Sequence, residues 1–190
     1  MGLGNQFTSV LAAAKAGGEW ALGALYRDLH PALLRYLYSQ HPTDAEDLAS
    51  ETWLDIARSL RRFKGDETAF RRWVFTIAHR RLLDHRRATA RRRTDPVPAA
   101  SLEFLEAPDC ADEVMASTST RQAFAKLASL PRDQAEVVVL RVLADLSVED
   151  VARIVGKRPG TVRVLQHRAL KRLAGEHDAS HVTARPSEAM

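Results

Sequence analysis

Cysteine is almost missing from this sequence, since Cys110 is the only one among 190 residues. A single cysteine cannot form an internal disulfide, and disulfides are typical of proteins from oxidising compartments. A reducing, cytoplasmic setting is therefore the simplest expectation.

Long hydrophobic runs are missing too. No apolar stretch approaches the roughly 20 residues that a membrane-spanning helix needs. The first 18 residues lack the charged start and the continuous apolar core of a secretory signal. The sequence thus predicts neither membrane insertion nor secretion.

The motifs of common catalytic and metal sites are also absent. The sequence contains no glycine-rich phosphate loop, no serine in a glycine elbow and no Cys-x-x-Cys pair. His177 and His181 stand four residues apart, but the sequence places no third ligand near them. We therefore expect no enzymatic activity, no metal site and no cofactor.

The charges that are present fall into blocks, although the net charge is only +4. Seven arginines stand against one acid from Arg80 to Arg93, and residues 157–172 hold six Lys or Arg and no acid. Residues 94–117 between them hold six acids and no Lys or Arg. Two basic blocks separated by an acidic one predict nucleic-acid contacts at two places.

Helical periodicity before and after the acidic block predicts an all-α fold of two small helical domains. The acidic block itself has three prolines and no periodicity, which is typical of a flexible linker. The predicted parts are an N-terminal arm (1–18), a first domain (19–93), the linker (94–117), a second domain (118–174) and a disordered tail (175–190).

The beginning of the chain allows several interpretations. Residues 1–18 are weakly patterned and predict a loose arm or a short helix. Leucines recur every three to four residues from Glu19, which predicts one or two helices with a kink or restart at Pro31. The tyrosines here are interpreted first as core aromatics, with base stacking as the less favoured alternative. They are Tyr26, Tyr36 and Tyr38.

Residues 44–60 predict an amphipathic helix with one acidic face. Thr43 and Glu46 have the spacing of a capping box. One stripe is apolar: Ala45, Ala49, Trp53, Ile56 and Leu60. Nearly opposite, acids one turn apart form what we call the acidic ridge: Asp44, Asp47, Glu51 and Asp55. Such a ridge is either a solvated face or a docking surface, and the arginine-rich helix beside it favours docking.

A second helix is predicted from about Thr68 to about Arg87, after a turn at residues 63–66. Its inward residues are Phe70, Val74, Ile77 and Ala78, and its other face carries Arg72, Thr76, His79, Arg80 and Arg87. Arginines with few acids nearby repel one another unless an anion neutralises them, which favours nucleic acid over a salt-bridged surface. Trp73 and Phe75 beside the arginines could stack on unpaired bases, at about 1–3 kcal/mol per base, although Trp73 also fits a core position.

The residues from Ser147 to Leu173 predict a helix-turn-helix. Ser147 and Asp150 form a capping box, Gly156 ends the first helix and Pro159 opens the second. An ordinary helical hairpin is the alternative. The polar and basic side chains that face outward favour a helix that enters the major groove of DNA.

Two stretches resemble conserved regions of bacterial sigma factors of the sigma-70 class. The second region is similar to DAEDLASETWLDIARSL, FKGD and FRRWVFTIAHRRLLDHRR. The fourth region is similar to LPRDQAEVVVLRVLADLSVEDVARIVGKRPGTVRVLQHRALKRL. The direct passage from one to the other resembles the extracytoplasmic-function (ECF) subgroup.

The resemblance implies a non-enzymatic factor that binds core RNA polymerase, recognises the −35 and −10 promoter elements, melts DNA and starts transcription. Its partners would be promoter DNA and two parts of the polymerase, the clamp helices of the largest subunit and the flap of the second-largest. The linker would thread the RNA exit path, and an anti-sigma protein is a further partner common in this subgroup. The rival interpretations are a stand-alone helix-turn-helix regulator and an enzyme that acts on nucleic acid.

The resemblance also implies which residues form each surface. Core polymerase would be bound by Asp44, Asp47, Leu48, Glu51 and Asp55. The melted −10 strand, with one base flipped into the 64–66 loop, would be held by Lys64, Gly65, Asp66, Arg72, Trp73, Thr76, His79, Arg80 and Arg87. The −35 duplex would be read by Arg158, Thr161, Arg163, His167, Arg168 and Lys171. Arg80 stands where many members have Asn, which leaves the −10 sequence preference open.

Overall fold

The computed structural model describes residues 2–94 and 118–182, and these residues form eight α-helices and no strand. The predicted all-α class is therefore confirmed. The helices are α1 (Phe7–Lys15), α2 (Glu19–Gln40), α3 (Ala45–Ser59), α4 (Glu67–Thr94), α5 (Thr118–Ala128), α6 (Arg132–Val142), α7 (Val148–Val155) and α8 (Pro159–Val182). The predicted linker after Thr94, with Cys110, and residues 183–190 of the predicted tail lie outside the described residues.

Helix α2 lies at the centre of the first domain and packs against α1, α3 and α4. Its buried stripe consists of Ala21, Leu25, Leu29, Leu33, Leu34, Tyr36 and Leu37. Pro31 lies inside α2 without ending it. An internal proline costs about 3 kcal/mol, and burial of a leucine stabilises by about 1.5–3 kcal/mol, so the leucines on both sides outweigh that cost.

The first 18 residues belong to this domain rather than to a separate arm. Helix α1 buries Phe7, Val10, Leu11 and Ala14, and the ring of Phe7 lies 5.6 Å from that of Phe70. The Glu67 carboxylate at the start of α4 accepts hydrogen bonds from the backbone N–H groups of Leu3 (2.7 Å) and Gly4 (3.0 Å). Of the two sequence predictions for this segment, the short helix is therefore the one observed.

The start of α3 differs from the sequence prediction. A 3-10 turn (Pro42–Asp44) precedes the helix, Asp44 takes the N-cap position, and no side chain caps the first turn. The capping box predicted at Thr43 and Glu46 is therefore wrong, because the turn moves the first helical residue to Ala45. The predicted apolar stripe is present: Ala45, Ala49, Ile56 and Leu60 are buried, and Trp53 is half-buried.

The second domain contains the predicted helix-turn-helix in α7 and α8. Ser147 Oγ accepts a hydrogen bond from the backbone N–H of Asp150 at 3.0 Å and donates one to Asp150 Oδ2 at 2.7 Å. Gly156 ends α7 in the left-handed conformation (φ 66°), which a residue with a Cβ rarely adopts. Helix α8 then begins at Pro159. These local stop and start signals are confirmed.

The two domains pack directly against each other. Helix α6 contacts α2, and α7 contacts α4. Because α6 is covered on several sides, every residue from Gln134 to Leu140 is buried. A buried polar group lies in this contact: the Tyr36 hydroxyl donates to Glu136 Oε1 at 2.8 Å and lies 3.1 Å from His79 Nδ1. His79 Nδ1 is also 2.9 Å from Glu136 Oε1.

Replacing Tyr36 with Phe is expected to destabilise the protein by about 1–3 kcal/mol, the cost of leaving a buried polar partner without its donor. Burial and the adjacent Glu136 carboxylate raise the pKa of Tyr36 well above its ordinary value, so its hydroxyl keeps the proton that it donates. Urea denaturation of the full chain measures the effect. Tyr38→Phe is the control, since Tyr38 is half-buried with its ring edge-on to Phe124. Equal losses in the two variants would contradict a role for the Tyr36 hydroxyl.

Helix α8 continues beyond the predicted end of the second domain at residue 174. It runs to Val182, whereas the sequence predicts a disordered tail from residue 175. Extending an existing helix needs no new nucleus, and the next proline after Pro159 is Pro186.

Candidate functional site

The acidic ridge on α3 has both free and paired carboxylates. Asp47 and Glu51 are exposed, and Asp47 has no ion pair among the described residues. Arg81 of α4 contacts two ridge acids, with its Nε 2.5 Å from Asp55 Oδ2 and its Nη1 3.4 Å from Glu51 Oε2. The Arg81 hydrogen bond holds the pKa of Asp55 below its ordinary value. Asp47 is thus the ridge acid most available to a basic partner.

Two residues assigned to polymerase binding are placed elsewhere. Leu48 is only 3% exposed and belongs to the hydrophobic core, so it does not form part of the exposed ridge. Asp44 is half-buried, and its Oδ2 lies 2.8 Å from His41 Nδ1 and 3.0 Å from His85 Nε2. Leu54 is a large apolar residue that α3 leaves exposed (55%). Leu54 lies outside the apolar stripe of α3, and this position is the sequence signal from which its exposure could have been predicted.

The loop at residues 64–66 is fully exposed. Gly65 has φ +150°, and a Cβ there would lie 2.7 Å from that of Ala69, so this turn requires glycine. Asp66 Oδ1 accepts a hydrogen bond from the backbone N–H of Ala69 at 2.7 Å, as an N-cap of α4 does. The loop therefore has a fixed shape, with the Lys64 side chain free in solvent.

An open cleft of about 520 Å³ lies between α3 and α4. Its lining residues are Asp55, Ser59, Trp73, Ile77, Arg80, Arg81 and Asp84. Trp73 is half-buried among aromatic rings, 5.0 Å from Phe63 and 5.6 Å from Phe70. Phe75 is fully buried and packs against Tyr36, so only Trp73 of the two proposed stacking residues lines this cleft.

The basic side chains of α4 are paired more often than the sequence suggests. Besides Arg81, Arg87 contacts Asp84 at 3.1 Å, and Arg86 donates to Gln40 Oε1 at 2.9 Å. Arg80 is exposed and has no ion pair among the described residues. The acids of α3 that pair with Arg81 are 26 and 30 positions away in the sequence, so sequence spacing does not identify them as its partners. The arginines of α4 therefore look unpaired in the sequence.

Two residues assigned to the −10 strand contact the second domain. Arg72 Nη1 lies 3.0 Å from Asp150 Oδ1, and His79 is 8% exposed beside Glu136. Burial opposes ionisation of Asp150, but hydrogen bonds from Ser147 and Arg72 outweigh it and hold the pKa of Asp150 below its ordinary value. Thr76 is half-buried, and its Oγ1 donates to the Arg72 carbonyl at 2.8 Å. In this arrangement the second domain covers part of the predicted −10 surface.

The residues predicted to read the −35 element lie on α8 and, for Arg158, in the turn before it. Every residue assigned to −35 recognition is exposed: Arg158, Thr161, Arg163, His167, Arg168 and Lys171. Arg163 Nη2 lies 2.9 Å from Glu149 Oε1 at the neighbouring helix, and both side chains remain mostly exposed. Val164 is 49% exposed on the same helix, which gives an apolar group among the polar ones.

A second surface was not recognised in the sequence. An open apolar groove of about 750 Å³ lies between α2, α5, α6 and α8. Its lining residues are Arg35, Ala123, Phe124, Lys126, Leu127, Val138, Val139, Val142, Leu143, Leu173 and Ala174. Helical spacing places Val142 on one apolar stripe of α6 with Ala135, Val138 and Val139, but Val142 is 61% exposed at this groove. Within residues 2–94 and 118–182, no helix is both long and apolar enough to cross a bilayer.

Two family descriptions match the chain. Sigma-70 region 2 matches residues 25–92, which include the acidic ridge, the 64–66 loop and most of α4. Sigma-70, region 4 matches residues 121–173, which include the helix-turn-helix.

Individual proteins are similar over most of the chain. ECF RNA polymerase sigma factor ShbA of Streptomyces griseus is 39% identical over 171 residues, which cover 84% of this chain and 89% of that protein. ECF RNA polymerase sigma factor SigD of Mycobacterium tuberculosis (strain H37Rv) is 34% identical over 181 residues, or 91% of this chain and 84% of that protein. The solved structure of the sigma factor RpoE of Bartonella quintana, in complex with the anti-sigma factor NepR, has a TM-score of 0.60 and 26% identity, covering 79% of this chain and 94% of that one.

Proposed function

Because this chain belongs to the extracytoplasmic-function group of sigma-70 family RNA polymerase sigma factors, we propose that its three predicted surfaces divide the work of promoter recognition. The acidic ridge binds the clamp helices of core polymerase, the 64–66 loop and α4 hold the melted −10 strand, and α8 reads the −35 duplex. The observation that carries the proposal is the outward face of α8 and the turn before it, where all six assigned side chains, five on the helix and Arg158 in the turn, are exposed.

Recognition of the −35 element by α8 follows from its side-chain chemistry. Arginine binds guanine bidentately in the major groove, and Arg163 and Arg168 have exposed guanidinium groups there. Thr161 near the helix start and the nearby backbone N–H groups suit phosphate contacts that set the register on DNA. Val164 suits contact with a thymine methyl group.

The −10 strand would first meet the exposed part of its surface. Lys64, Arg80 and Arg87 are accessible to phosphates, and Trp73 lies at the cleft where an unpaired base can stack. Flipping a base costs a few kcal/mol. We therefore expect weak promoter binding by the free protein, and a steep salt dependence from the phosphate contacts.

Arg72 and His79 can reach DNA only if the second domain moves away from α4. In the arrangement observed, Asp150 pairs with Arg72 and Glu136 lies beside His79, so carboxylates occupy the positions that phosphate would take. Binding to polymerase, which would hold the two domains at separate sites, supplies the free energy that opening requires.

The apolar groove is the surface that we assign to the flap of the second-largest subunit. Its walls are hydrophobic, while Arg35 and Lys126 lie at its lining, as is typical of a groove that accepts an amphipathic helix. The chain would act in the cytoplasm and without catalytic activity of its own. An anti-sigma partner, as seen with the Bartonella quintana protein, stays a proposal for this chain.

In vitro transcription tests the proposal. The purified full chain is added to core RNA polymerase on a library of randomised promoters, and the transcripts are sequenced. We expect initiation from a restricted set that shares one element near −10 and one near −35. Initiation that does not depend on the added chain, together with specific DNA binding in the absence of polymerase, would instead favour a stand-alone regulator.

A further inference from the structure

Two histidines and a carboxylate meet where α2, the turn before α3 and α4 come together. His41 follows the last residue of α2, Asp44 ends the 3-10 turn, and His85 lies in the second half of α4. One ligand atom from each residue lies within 4.8 Å of the other two. The centre of the group is Asp44 Oδ2, 2.8 Å from His41 Nδ1 and 3.0 Å from His85 Nε2.

One nitrogen of His41 lies in this group without a hydrogen bond. Nδ1 is buried and has no hydrogen-bond partner among residues 2–94 and 118–182, although Asp44 Oδ2 is only 2.8 Å away. The two atoms are close but not aligned as a donor and an acceptor are. The imidazole rings of His41 and His85 also meet edge-to-face, 4.7 Å apart, and each has one nitrogen close to the same carboxylate oxygen, at 2.8 and 3.0 Å. Buried polar atoms normally have a partner, and one without it needs an explanation.

We propose that His41 Nδ1, Asp44 Oδ2 and His85 Nε2 form a binding site for a divalent metal ion of the zinc class. Two imidazole nitrogens and one carboxylate oxygen are ligands that Zn²⁺ accepts, and three protein ligands leave a fourth position for water. The site goes beyond the proposed function, which needs no metal.

The present distances are close to those of a metal-bound set. Bonds of 2.0–2.2 Å in a tetrahedral site place ligand atoms about 3.3–3.6 Å apart. The nitrogen-to-oxygen distances of 2.8 and 3.0 Å therefore need to open by roughly half an ångström, and the two ligand nitrogens already lie within 4.8 Å of each other. All three side chains are about one-third exposed, which leaves room for the water ligand and for entry of the ion.

Burial lowers the pKa of His41, and the positive charge of Arg132 on α6 acts in the same direction, so Arg132 is a positive charge near the proposed site. Asp44 supplies one negative charge against it. A cation that gains only charge neutralisation would gain little here, whereas one that forms directed bonds to imidazole nitrogen would bind. This selects a transition metal over Mg²⁺ or Ca²⁺, which prefer oxygen ligands.

The sequence alone does not indicate this metal site, because its ligands do not form a local motif. Asp44 and His85 are 41 positions apart and only the fold brings them together. A bound ion would join the turn before α3 to α4, and so connect the acidic ridge to the arginine-rich helix.

The test uses the full chain, freed of metal, with His177→Gln and His181→Gln introduced so that this second histidine pair cannot contribute. Titration with Co²⁺ is followed by visible absorption, and titration with Zn²⁺ by calorimetry. We expect one equivalent of Zn²⁺ with a Kd of about 1 μM or tighter, and Co²⁺ bands typical of four-coordination.

Changing outer-shell residues weakens metal binding 10–100-fold, so loss of a ligand in His41→Gln or His85→Gln should weaken it by about 100-fold or more. His30→Gln is the matched control, since His30 stacks on Tyr26 and lies outside the group. Unchanged affinity in His85→Gln, or no Co²⁺ spectrum at millimolar Co²⁺, would overturn the proposal.

A variant that loses its helical circular dichroism has not folded and cannot test the site. In that case X-ray absorption of the Zn²⁺-loaded parent, the chain with His177→Gln and His181→Gln, tests it directly. Two imidazoles in the first shell support the site, and one or none rejects it. Zn²⁺ should also raise the Tm of the parent, because an ion that binds only the folded state stabilises it.

Discussion

Replacing Asp47 and Glu51 together with lysine is expected to weaken binding to core RNA polymerase about a thousandfold. The double variant changes the ridge by four charge units, and about 1 kcal/mol for each unit near contact gives about 4 kcal/mol. Both side chains are exposed, so the fold should persist. Fluorescence anisotropy of labelled protein against core enzyme measures the affinity, and circular dichroism checks the helices.

Single variants distinguish a specific contact of the acidic ridge with polymerase from a general effect of added positive charge on binding. Glu51 already pairs with Arg81, so its reversal also puts two cations side by side, whereas Asp47 has no ion pair in the described part of the chain. Asp47→Lys alone should weaken binding about tenfold or more. Glu19→Lys is the control. It makes the same charge change at an exposed position at the start of α2, whereas the ridge follows the end of α2, and it should leave the affinity for core enzyme nearly unchanged. If Asp47→Lys and the control Glu19→Lys bind core enzyme with equal affinity, the acidic ridge is not the contact.

Removing both Arg163 and Arg168 by substitution with alanine should lower transcription from a −35-dependent promoter about 100-fold or more. A bidentate arginine–guanine contact is worth about 1–3 kcal/mol of discrimination, and the two positions contribute together. Both side chains lie on the exposed face of α8, so no core contact is lost. Initial transcription rates with saturating core enzyme measure the effect.

The promoter itself provides the control for this variant. On a template with a scrambled −35 element the wild-type chain should fall to the level of the double variant, since neither then has a base contact to make. Equal wild-type transcription from intact and scrambled templates would show that α8 does not read sequence.

Local signals were sufficient to predict the helices and the helix-turn-helix. The Ser147–Asp150 capping box and the left-handed Gly156 act within one turn, so their sequence spacing determines their geometry. The same reasoning failed at Thr43, because a 3-10 turn before the helix shifts its start and sequence spacing alone does not show such a turn.

Contacts between distant segments could not be predicted. His79 lies on the polar face of α4 by periodicity, yet it is buried because Glu136, 57 positions away, covers it. Arg72 and Asp150 are separated by 78 positions. Leu48 shows a related limit: helical periodicity orders residues around the axis but does not give the width of the face that neighbouring helices bury.

The packing of the two domains has a consequence for the integrity of the molecule. Residues of α2 and α4 share one hydrophobic cluster with residues of α6, α7 and α8. A protease that nicks the peptide between residues 95 and 117 should therefore leave a non-covalent heterodimer, and the two fragments should complement each other when they are co-expressed. The intact backbone then serves mainly to keep the fragments at a high effective concentration.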